Sequence, residues 1–151
     1  MAEVVPVERP GASRTPVADR LRAISGGLEA HVGTGGALDA AEASRLAEAL
    51  MEAGHALADA AREVGRACPG GRRGWDVPPL FLRVRWTARV LRHDLAGGGT
   101  LAADSVRRLR DLLAAFADEA VVVEREARLA RVRLATAAAT GAAAVAPGRA
   151  A

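Results

Sequence analysis

Apolar residues along this chain recur at alternating steps of three and four, the spacing that places side chains on one face of an α-helix. Four such runs stand between Gly-rich breaks. The first is Val17, Leu21, Ile24, Leu28 and His31. Thr15-Pro16 offers an N-cap hydroxyl and a first-turn proline ahead of it, and Gly33-Thr34-Gly35-Gly36 ends it. Gly26 and Gly27 each weaken a helix interior by roughly 1 kcal/mol relative to Ala, so a short or bent helix is expected. His31, near its end, reads as a C-terminal cap favoured by the helix dipole.

The second run, Leu46, Leu50, Ala53, Leu57, Ala60 and Val64, follows Asp39 and Glu42, whose spacing is that of a capping box. Cys68-Pro69-Gly70-Gly71 closes it. For the third, Asp76 can cap, Pro78 and Pro79 fit the first turn, and Trp75 and Leu80 sit where a hydrophobic staple forms. It continues through Phe81, Val84, Ala88, Leu91 and Leu95 to the Gly97–Gly99 break. The fourth, capped by Thr100, keeps the alternation through Val106, Leu109, Leu113, Phe116, Ala120, Val123, Ala127, Ala130 and Leu134. A helix from Leu101 to about Ala139 would be on the order of 58 Å long.

Short Gly-rich connections between helices favour antiparallel neighbours, so the expected fold is all-α, an antiparallel up-down four-helix bundle over residues 15–139. Residues 1–14 and 140–151 are expected to be disordered tails. The fourth helix outruns the third. Its second half, with Val123, Ala127, Ala130 and Leu134, must therefore pair with the second helix, overhang, or meet its twin; these four are the expected association surface of a homo-oligomer.

Composition narrows the chemistry. The chain has 37 Ala and 21 Arg but no Lys, Asn, Gln or Tyr, which favours helices and matches GC-rich coding. Without lysine there is no Walker-type phosphate loop and no Schiff-base lysine. One cysteine, Cys68, makes no internal disulfide, and the charged start lacks the apolar core of a signal peptide, so a cytoplasmic protein is expected. The uncharged run Leu134–Pro147 falls short of the roughly 20 residues needed to span a bilayer, and no membrane association is expected.

Charge is unevenly placed: residues 62–92 hold eight Arg against two acids. Arg85, Arg89 and Arg92 form one helical stripe, with Arg72 and Arg73 in the loop that precedes it, and together they are the candidate anion site. Nucleic acid or another polyanion is the ligand such a row would take. With no Asn or Gln to read adenine and few aromatics to stack, base-specific recognition is not expected. Internal pairing with the acidic second helix is the other way to use the same charges.

Gly54-His55-Ala56-Leu57-Ala58-Asp59, continuing to Val64-Gly65, resembles the histidine-phosphotransfer family, in which an exposed helical His accepts a phosphoryl group. The resemblance would make His55 the acceptor in a small helical bundle. Ala58 and Asp59 stand where that family has Lys and Gly, and a carboxylate one turn from a phosphohistidine repels it. His31, His55 and His93 are never three or four apart, so no metal pair is expected on any one helix. The four serines lack elbow glycines, and Cys68 has no nearby His. The expected function is thus a non-enzymatic interaction or structural module without a cofactor, associating through the fourth helix.

Overall fold

A computed structural model describes residues 15–68, 77–96 and 99–145. They form four helices: α1 (Val17–Gly33), α2 (Ala40–Ala67), α3 (Leu80–Leu95) and α4 (Ala103–Val145). The protein is an all-α bundle, with no strand among the described residues beyond one isolated bridge between Leu38 and Leu101.

The two long helices, α2 and α4, make the spine. α1 packs on α4 and α3 packs on α2, while α1 with α2, and α3 with α4, touch only sparingly. Small residues let the spine close up: Ala43, Ala47 and Ala53 of α2 and Ala117 and Ala120 of α4 are all buried in the core. Around them lie Leu21, Leu50, Leu57, Val84, Val106 and Leu113, the largest fully buried side chains, each stabilising the fold by roughly 1.5–3 kcal/mol.

Contacts at both ends set the helix directions. Val17 meets Glu124 and Glu29 meets Arg110, so α1 runs antiparallel to α4. Leu38 and Leu101 exchange backbone hydrogen bonds of 3.1 and 2.9 Å, tying the α1–α2 connection to the α3–α4 connection at one end. Both long helices start at that end, an arrangement compatible with up-down order.

The nine expected positions of α4 are buried from Val106 to Ala120, and again at Ala127 and Ala130, with Val123 and Leu134 half-buried. The expected capping box of α2 is present, Asp39 Oδ1 accepting from Glu42 N at 2.7 Å. Elsewhere local signals are overridden. The N-cap of α1 is Pro16, with no side-chain cap of its own, because the Glu124 carboxylate of α4 accepts from Val17 N and Ala18 N instead. Gly26 and Gly27 do not break α1, which runs unbroken for 17 residues. Pro78 and Pro79 precede α3, and Pro79 is its N-cap; Trp75 and Asp76 lie outside the described residues. α4 begins at Ala103, since Leu101 is spent on the bridge, and continues to Val145, six residues past the expected end. The expected first tail and the last six residues lie outside the described residues.

Candidate functional site

Where α3 and α4 scarcely touch, the described residues leave a set of apolar side chains exposed. α3 buries Leu80, Val84, Ala88 and Leu91 against the spine. Its opposite face carries Leu82, Trp86 and Val90, one turn apart, which are 46%, 67% and 39% exposed. Between that face and α4 runs an open groove of about 680 Å³, walled on the far side by Leu112 and Phe116. Leu82 and Trp86 of α3 and Leu112 of α4 thus line one groove together and are not scattered singly.

One side chain bridges the groove. Arg83 donates from Nη1 to Glu119 Oε1 at 3.0 Å and from Nε to the Pro78 carbonyl at 2.9 Å, and its guanidinium stands 5.6 Å from the Phe116 ring centre. Hydrogen bonding to Arg83 holds the Glu119 carboxyl below its ordinary pKa, against a smaller opposing effect of burial. The same bond holds Arg83 more firmly protonated.

Arg85 and Arg89 also line the groove. The aliphatic stem of Arg85 lies on Gly54 of α2, where any Cβ would collide with Arg85 Cγ, so this glycine is what lets α2 and α3 approach. Among the described residues Arg85, Arg89 and Arg92 have no ion pair. Three of the five acids of α2 lie near other cations: Glu42 lies 3.9 Å from His31, Asp59 pairs with Arg62, and Glu63 pairs with Arg131 of α4 at 2.9 Å; Glu48 and Glu52 pair with no arginine of α3 among the described residues. The alternative of internal charge pairing between α2 and α3 is therefore not what these three arginines do. Arg72 and Arg73 lie outside the described residues.

His55 is exposed on α2, and Asp59 one turn on is engaged by Arg62. No group of three or more His, Cys, Asp or Glu suited to a metal occurs among the described residues. Cys68 is an exposed free thiol at the end of α2, and Arg133 approaches its sulfur at 3.9 Å.

Of the four residues expected to form an association surface on α4, Val123 and Leu134 are half-buried and Ala127 and Ala130 are buried. Ala127 is fully closed and Ala130 4% exposed, covered by the chain's own helices, so neither presents a face to a twin. Of the three fates open to this half of α4, the observed one is to lie along α2 as far as Arg133 beside Cys68, and residues 135–141 are exposed beyond it. The groove is not among the expectations from sequence, which take the inward apolar face of α3 and its arginine stripe. Its signal was present: Leu82, Trp86 and Val90 form a second stripe at steps of four, and Leu112 doubles the seam residue Leu113.

Compared with known proteins, the chain matches no family model, no curated protein and no solved structure. No helix among the described residues is long and apolar enough to cross a membrane.

Proposed function

We propose that the protein is a non-enzymatic interaction module whose contact face is the outer side of α3 with the adjoining strip of α4. The observation that carries this reading is Trp86, 67% exposed at the centre of an apolar groove, since a large aromatic left in water gains most from a partner that covers it. A photo-crosslinking residue at position 86, in cells that make the protein, is expected to trap one protein adduct of defined mass. The same probe at Asp118, 80% exposed on another side of α4, is expected to trap none. Matching products from both positions, or no adduct from either, would remove the reading.

A second reading has its own support, the absence of ion pairs on Arg85, Arg89 and Arg92 among the described residues. Such a row binds a polyanion through counterion release and loses it steeply with salt. Retention on heparin at low salt, lost in the Arg89→Ala/Arg92→Ala protein, is the expected result. Arg85 is left in place because its stem is part of the α2–α3 contact.

A further inference from the structure

We infer that the α3–α4 groove receives a single amphipathic helix of a partner protein, apolar on the side that enters and acidic on its flanks; this rests on the reading of that face as a contact surface. A helix is the element that fits. The exposed apolar ridge of Leu82, Trp86 and Val90 repeats once per turn from residue 82 to residue 90 of α3, about 12 Å, with Leu112 and Phe116 as the opposite wall. The gap is the space a further helix fills in a bundle, and α3 and α4 leave it open by touching so little.

Charge selects the occupant. Arg85 and Arg89 line one bank, and on the other Arg108 lies one turn before Leu112 on the same side of α4. None of the three has an ion pair among the described residues, and Glu119 on this seam is already held by Arg83. Rows of Asp and Glu on both flanks of an incoming helix would meet all three arginines. A second copy docked through the same groove about a two-fold axis would instead bring two sets of these arginines into one interface with no added acids, which repels. A nucleic acid would use the arginines and gain little from Leu82 or Leu112.

The test is selection of a displayed library of 16-residue Ala-based helices, randomised at alternate turns, on the full chain, with counter-selection on the Trp86→Ser protein. The expected winners carry large apolar residues at i, i+4 and i+7 and more acidic than basic residues beside them. A recovered peptide should lose about tenfold in affinity when its Asp and Glu become Asn and Gln, and a similar amount against the Arg89→Ala/Arg108→Ala protein. Raised salt should weaken it further. Winners that are neutral or basic would overturn the acidic helix while leaving the contact face standing. No enrichment over the Trp86→Ser protein overturns the proposal, and the crosslink at position 86 then decides separately whether the face is a contact surface at all. A dimer of the chain alone that vanishes in Trp86→Ser assigns the groove to a second copy and overturns it too. So does heparin binding that Trp86→Ser leaves intact while no peptide is recovered.

Discussion

α1 and α3 are both short helices laid on a long one, yet they are held differently. α1 is fastened to α4 along its length: the Glu124 carboxylate caps its start, Ser25 donates to the Arg110 carbonyl at 3.0 Å, and Arg110 reaches back to Glu29 at 2.8 Å. α3 lies on α2 through Val84, Ala88 and the Gly54 contact, and meets α4 mainly through Arg83. One flank of α4 is therefore closed by polar fastenings, and the other is an apolar groove whose banks carry arginines with no ion pair among the described residues.

The sharpest way to break this comparison is to make the same substitution on both short helices. Leu21 on α1 is fully buried, whereas Leu82 on α3 is 46% exposed. Leu21→Ala should cost about 3 kcal/mol of unfolding free energy, within the range for a buried leucine, while Leu82→Ala should cost well under about 1 kcal/mol. Urea unfolding of the two variants measures both. Equal losses would mean that the α3 face is packed as part of the fold.

Next comes the fastening of α1. Glu124 accepts from two backbone N–H groups that a helix start leaves unsatisfied, and its charge faces the positive end of the helix dipole. Glu124→Ala is expected to cost about 1–2 kcal/mol and to speed amide exchange over Val17–Leu21 more than anywhere in α3. Uniform acceleration across the chain would show that the cap is not local to α1.

On the open flank the corresponding polar contact is weaker. Glu119 is 47% exposed, so its pair with Arg83 contributes less than about 1 kcal/mol. The sign follows from the lowered pKa of Glu119 in the folded state. The contribution is fully present above the pKa of the unfolded glutamate, near 4.5, and is lost as pH falls from there toward the folded value. Glu119→Gln should therefore lower stability slightly at pH 7 and flatten its decline below about pH 4.5. An unchanged acid profile would assign the decline to other carboxylates.

The difference between the flanks was only half legible in the sequence. The seam of α4 was readable because burial follows helical period, and a run from Val106 to Leu134 leaves little freedom about which face turns inward. The capping box at Asp39 was readable because both partners lie within one turn. Glu124 as the cap of α1 was not, since its partners are more than a hundred residues away and nothing local marks a carboxylate as a distant cap. The groove lay between these cases. Its residues form a visible stripe, but whether a second apolar stripe is covered depends on how closely α3 approaches α4, which is a property of packing.

The smallest expected effect is the most telling. Trp86 is the largest exposed apolar side chain described and makes up the middle of the groove wall, yet it buries too little to support the bundle. Trp86→Ser should change the unfolding free energy by no more than about 0.5 kcal/mol, the usual range for a surface position away from caps and cores. Solubility at high concentration should rise, because an exposed apolar patch has been interrupted. If the substitution instead destabilised the protein by several kcal/mol, Trp86 would be packed against the chain in solution and the open flank would be closed like the other. A near-zero cost means that folding does not depend on this residue, since Leu80, Val84, Ala88 and Leu91 already satisfy what α3 needs from its own bundle.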